Sequence, residues 1–97
     1  ANKKNSKDLI DAAILYSPTS GRWMKIQTTE PCMTVYSGNS MDKLTSYGKP
    51  AKKHNAICLE TQRPVNAINI PSFASMVILR PGETYYQRTV HTFKITK

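Results

Sequence analysis

No run of apolar residues in this sequence is long enough to cross a membrane as a helix, and no signal-peptide pattern opens it. Glycine is scarce, at 4 residues, and none builds a Gly-rich phosphate loop. There is no serine nucleophile elbow and no plausible catalytic triad. Cysteine occurs only as Cys32 and Cys58, with no CxxC pair, and His54 and His91 do not stand at a metal-ligand spacing from them. Two thiols, each inside a strand-like apolar run, read as free buried cysteines in a reducing compartment; a single disulfide stays open as an alternative. The lack of an Asn-x-Ser/Thr acceptor agrees with an intracellular, cytoplasmic home. Acidic residues are few, 6 against 14 basic, giving a net charge of +8. That balance can attract nucleic acid or acidic membranes. The densest basic cluster, Lys49, Lys52, Lys53 and His54, has no aromatic among it to stack on bases. Solvated lysines on a loop are the better reading, and neither nucleic acid nor membrane is an expected partner.

What is present fits one small folded domain. The chain has 97 residues, 39% apolar and 21% charged. Ala1 to Lys7 is polar and lysine-rich, like a loose end or the cut edge of a longer chain. Lys7 to Tyr16 fits either a helix capped by Ser6, with Ile10, Ala13 and Ile14 on one face, or a strand. Ser17-Pro18-Thr19-Ser20-Gly21 is turn chemistry. Arg22 to Thr29 reads as a strand with Trp23, Lys25 and Gln27 on one face and Met24, Ile26 and Thr28 on the other. A turn between two such runs favours a hairpin, so the first run is taken as a strand. Glu30-Pro31 breaks the pattern, and Cys32 to Tyr36 is a further short strand closed by Ser37-Gly38-Asn39-Ser40. Met41 to Lys53 reads as a loop, Ala56 to Gln62 as a strand, and Arg63 to Phe73 as irregular. Met76 to Arg80 reads as an apolar strand, Pro81-Gly82 as a turn, and Glu83 to Ile95 as one long strand. The fold class is all-β and mostly antiparallel, with Tyr36, Ile57, Leu59, Val77, Leu79 and Phe93 as the expected core.

The central strand carries the one suspicious residue. In Ile57-Cys58-Leu59-Glu60-Thr61-Gln62, alternation puts Cys58, Glu60 and Gln62 on one face and Ile57, Leu59 and Thr61 on the other. A carboxylate there needs a partner, a solvated cleft or a raised pKa. Glu60 is then a general base lining a ligand cleft, or an exposed or salt-bridged glutamate on a polar strand face. The local pattern alone favours the second reading.

Three segments in register resemble the C-terminal part of the aldose 1-epimerases, the galactose mutarotase family. The first runs from Ser20-Gly21-Arg22 through Thr28-Thr29-Glu30-Pro31 to Val35-Tyr36-Ser37-Gly38-Asn39. The second is Cys58-Leu59-Glu60-Thr61-Gln62, and the third is Leu79-Arg80-Pro81-Gly82-Glu83-Thr84-Tyr85. Together they cover about Ile14 to Phe93. The resemblance implies an antiparallel β-supersandwich, galactose mutarotase-like, of which residues 1–97 form the C-terminal portion of a single domain. It implies interconversion of the α and β anomers of hexoses such as glucose and galactose, with no metal or other cofactor. Glu60 falls on the family's base, which takes the proton from the C1 hydroxyl while a histidine protonates the ring oxygen. Thr34 stands where the family has a glutamine near the sugar, and is taken as substrate-binding.

The departures from the family pattern are Cys32 for a glycine, Thr34 for that glutamine, Ser40 for an aromatic, Ala56 for a glycine and Asn66 for an aspartate. They bear on sugar preference. The family's acid histidine, second histidine, aspartate and arginine belong to a part of the domain not in this sequence, and neither His54 nor His91 matches them. The expected partners are therefore a hexose and the missing N-terminal part of the same enzyme. The alternatives are a non-catalytic carbohydrate-binding relative and, on net charge alone, a basic interaction module.

Overall fold

The computed structural model describes residues 7–43 and 45–96. The first hairpin forms as the turn chemistry requires. Strands β1 (Ile10–Tyr16) and β2 (Arg22–Thr28) run antiparallel, joined by a turn in which the Gly21 N–H donates to Ser17 O at 2.7 Å. Gly21 has φ of 75°, a left-handed conformation that costs glycine little. The register slips between Asp11 and Ala13, a bulge that leaves Asp11 in reach of two partners. Lys25 Nζ lies 3.0 Å from Asp11 Oδ2, and Gln27 Nε2 donates to Oδ1 at 3.0 Å. The bond from Lys25, then that from Gln27, holds the Asp11 carboxyl below its ordinary range.

The last strand returns to this hairpin. Strand β7 (Thr89–Ile95) pairs antiparallel with β2, giving a three-stranded sheet in the order β1-β2-β7. The alternation read in β2 holds. Ile26 and Thr28 are buried, at 1% and 2% exposure. On the opposite face, Lys94 Nζ sits 4.1 Å from the centroid of the Trp23 ring. Strands β3 (Cys32–Tyr36) and β6 (Cys58–Gln62) form a separate antiparallel pair. Between them, β4 (Thr45–Ser46) and β5 (Lys49–Pro50) make a short hairpin within the stretch expected to be loop. Among the described residues there is no α-helix, only single 3₁₀ turns at Met41–Lys43, Ala67–Asn69 and Ala74–Met76. None of these is long and apolar enough to cross a membrane. The helical alternative for the first run is excluded, and its Ser6 cap, like the lysine-rich start, lies in residues 1–6, outside the described residues. The architecture is all-β and antiparallel.

Two expected strands do not form as read. Met76 to Arg80 ends one 3₁₀ turn and then runs without regular structure. Val, Ile and Leu favour a strand only where a neighbour takes up the backbone hydrogen bonds, and none of the described strands lies beside this run. Of Glu83 to Ile95, only the part from Thr89 onward is strand, because β2 ends at Thr28, the partner of Thr89. The expected core needs correction for the same reason. Ile57, Val77, Leu79 and Phe93 are exposed, and Tyr36 and Leu59 are half-buried. Among the described residues the buried apolar side chains are instead Ile26, Ala51 and Ala67, of which Ile26 alone is large.

An open arrangement follows. The Cα radius of gyration is 16.7 Å, against about 12–13 Å for a compact domain of this length. Leu15, Phe93 and Ile95 line a groove with Met24 at one end of the three-stranded sheet, and each of the three is at least 40% exposed. Both strands of the β3–β6 pair are edges among the described residues. Unpaired edges and apolar patches promote association, and the net charge of +8 only partly opposes it. This chain alone is therefore expected to self-associate as its concentration rises, seen as a growing sedimentation coefficient. A monomer at every concentration, with a sharp melt, would count against that expectation.

Candidate functional site

The site is built on the two-stranded β3–β6 pair. Its register sets Cys32 opposite Gln62, Thr34 opposite Glu60 and Tyr36 opposite Cys58. Facing residues of an antiparallel pair share a face, so the two residues singled out from the sequence, Glu60 and Thr34, stand side by side. Cys58 and Gln62 flank Glu60 on its own strand. Glu60 is exposed, whereas Leu59 and Thr61, on the reverse face, are half-buried. Among the described residues no ion pair engages Glu60. The salt-bridged reading therefore fails, and an exposed carboxylate on an open sheet face remains. Two cavities of about 450 and 840 Å³ lie elsewhere, and neither is lined by Glu60 or Thr34.

Neither histidine joins them. His54 precedes β6 in a left-handed conformation, φ 62°, and its Nε2 lies 2.8 Å from Asn39 Oδ1. His91 belongs to β7, in the other sheet, opposite Ile26, and its ring stacks with that of Phe93 at 6.3 Å between centroids. Both cysteines are free, as expected, but exposed rather than buried, because the β3–β6 pair that carries them has no further strand beside it among the described residues. Among the described residues no group of three His, Cys, Asp or Glu side chains could hold a metal ion.

The reverse face of β6 is where the structure adds most. Thr61 Oγ1 lies 3.0 Å from Thr89 Oγ1, which lies 3.0 Å from Thr28 Oγ1. Gln87 Nε2 donates to Thr89 Oγ1 at 2.5 Å and, more weakly, to Thr61 Oγ1 at 3.5 Å. This chain of hydroxyls ties β6 to β7 and β2. Just beyond it lies Glu30, only 3% exposed. The Tyr85 hydroxyl donates to its Oε1 at 3.3 Å, and Arg63 Nε lies 3.3 Å from its Oε2, an ion pair without the alignment of a hydrogen bond. Desolvation of the hydroxyl, and then the charge of Glu30, pushes Tyr85 above the ordinary tyrosine pKa, although most of the residue is exposed. The sequence reading took Glu30-Pro31 only as a strand break. The legible signal was a carboxylate between two threonines and a proline, in the first of three boxes, with Arg63 and Tyr85 at the edges of the other two.

The first and third boxes and the residue that follows the second therefore meet in space at one partly buried ion pair and one hydroxyl. Comparison with known proteins points to one family. The aldose 1-epimerase family model matches residues 2–92. The chain is 38% identical to the galactose mutarotase of Rattus norvegicus and 39% identical to that of Homo sapiens, each over 95 residues, which are 95% of this chain and 27% of the relative. It is 37% identical over 71 residues to the Bifunctional protein GAL10 of Kluyveromyces lactis, covering 73% of this chain and 10% of that protein. The chain thus spans about a quarter of the length of the mutarotases it matches. With the family model over nearly its whole length and the boxes brought together by an all-β fold, this chain belongs to the aldose 1-epimerase family.

Proposed function

We propose that this chain supplies the general base of a hexose mutarotase, and that Glu60 is that base. The observation that carries the reading is the β3–β6 register, which sets the exposed Glu60 beside the half-buried Thr34 on one face. In the proposed reaction the Glu60 carboxylate takes the proton of the C1 hydroxyl. A histidine from the rest of the domain protonates the ring oxygen as the bond between C1 and that oxygen breaks. The open-chain aldehyde turns about its C1–C2 bond, and the ring closes on the other face. Thr34, one strand away, has a hydroxyl to offer the sugar. Glucose and galactose are the proposed hexoses, and the reaction as written calls on no cofactor.

The remaining three quarters of the domain is part of this proposal. It brings the acid and covers the open face, which keeps bulk water from the reacting sugar. The two free thiols favour a cytoplasmic setting.

The test is polarimetric. Fresh α-glucose and α-galactose should mutarotate faster with the complete protein than in buffer. Sugar binding without acceleration would move the protein to the non-catalytic carbohydrate binders. Neither binding nor acceleration would remove the reading altogether.

A further inference from the structure

We propose that Glu30 is a positioning residue for Glu60: acting through Arg63 and Tyr85, it fixes the end of the strand that presents the base. The proposal rests on the reading of Glu60 as base. Glu30 touches no substrate. It is a carboxylate placed where an apolar side chain would fill the space at lower cost in desolvation. Its partners come from separate parts of the chain. Glu30 lies between β2 and β3, Arg63 follows the last residue of β6, and Tyr85 lies on the approach to β7. The Glu30 N–H also donates to Thr28 Oγ1 at 3.1 Å, joining the cluster to the threonine chain behind β6.

The position of the tethers makes them matter. A two-stranded antiparallel pair is marginally stable by itself, so its tilt is set by what it is fastened to. Thr61 fastens β6 on its reverse face, and Arg63 fastens it one residue past its end. These points bracket Gln62 and leave Glu60 directed to the opposite face. If the second tether slackens, the ribbon pivots about the first, and Glu60 moves relative to anything held by the rest of the domain. Proton transfer from a bound hydroxyl tolerates little such movement.

Glu30→Gln tests this in the complete protein, since it keeps the side chain's size and an acceptor for Tyr85 but removes the charge facing Arg63. Expected are a fall in kcat of roughly tenfold per folded molecule with KM within about twofold, and faster amide hydrogen exchange in residues 58–62 with the β1–β2 hairpin unchanged. Combining Glu30→Gln with Arg63→Met should cost no more than either change alone, as for residues acting as one unit. An unchanged kcat, or exchange that rises equally everywhere, would overturn the proposal and reduce Glu30 to general stability. If Glu30→Gln does not fold, Arg63→Lys is read in the same way, because it keeps the charge and loses the guanidinium geometry. If the unmodified protein shows no mutarotation, the reading of Glu60 fails separately, and the exchange pattern still decides whether Glu30 holds β6.

Discussion

Glu60→Gln, made in the complete protein, is expected to leave a folded molecule whose mutarotation is slower by roughly 10²–10⁴-fold. The two halves of that result have different causes. Glu60 is exposed and engages no ion pair among the described residues, so the change removes neither a buried contact nor a charge partner. In this chain, where Glu60 is exposed, such a surface substitution shifts stability by about 0.5 kcal/mol or less, and the amide keeps the side chain's size where the rest of the domain covers it. The amide, however, cannot accept the C1 proton. Thr34→Ala on the facing strand removes one hydroxyl and no base, so its effect should be smaller and fall mainly on KM. Polarimetry at saturating and at low sugar, with a thermal melt of each variant, separates these outcomes. A Glu60→Gln protein turning over at the unmodified rate would end the assignment of the base.

The residues that read correctly from sequence are those whose structure is decided locally. Pro18 and Gly21 announce a turn whatever lies around it, and Gly21 adopts the left-handed conformation such a turn uses. The alternation of Trp23, Lys25 and Gln27 with Met24, Ile26 and Thr28 needs only a strand with one face covered, and β2 is that strand. Glu60 reads correctly for the same reason, because period two places it opposite Leu59 and Thr61 once β6 exists. The misreadings concern partners. Val77-Ile78-Leu79 has the composition of a buried strand but lies exposed, with no strand paired to it among the described residues. Residues 83–88 carry strand-forming tyrosines past the end of the strand they would pair with. Glu30 was passed over because its partners stand 33 and 55 positions away, at Arg63 and Tyr85, and no local pattern marks such a pair.

Ile26 shows how much of this architecture hangs on few buried side chains, and Ile26→Ala is expected to destabilise this chain by about 2–5 kcal/mol. Ile26 lies mid-way along β2, between Ala13 of β1 and His91 of β7, and is 1% exposed. Truncation removes its transfer free energy and opens a cavity that hydrogen-bonded strands on both sides cannot collapse around. Among the described residues the other buried apolar side chains, Ala51 and Ala67, have only a methyl group each to contribute. Ordinary domains are stable by about 5–15 kcal/mol, and an open chain with so small a core belongs at the bottom of that range or below it. The loss should therefore take most of the folded population, lowering the urea midpoint with little change in slope. Phe93→Ala is the control, because Phe93 is larger but 71% exposed, and its loss from this chain should cost under about 1 kcal/mol. The ranking would reverse only if Phe93, not Ile26, were the packed residue. The consequence reaches the site, since β2 runs directly from Ile26 into Thr28 and then to Glu30, the groups that fasten β6 from behind. In the complete protein, where the fold can survive the cavity, Ile26→Ala should loosen those tethers and speed amide exchange in residues 58–62 as well as in β2. An unfolding free energy within about 1 kcal/mol of the unmodified chain would mean that the inner face of the three-stranded sheet is not packed as described.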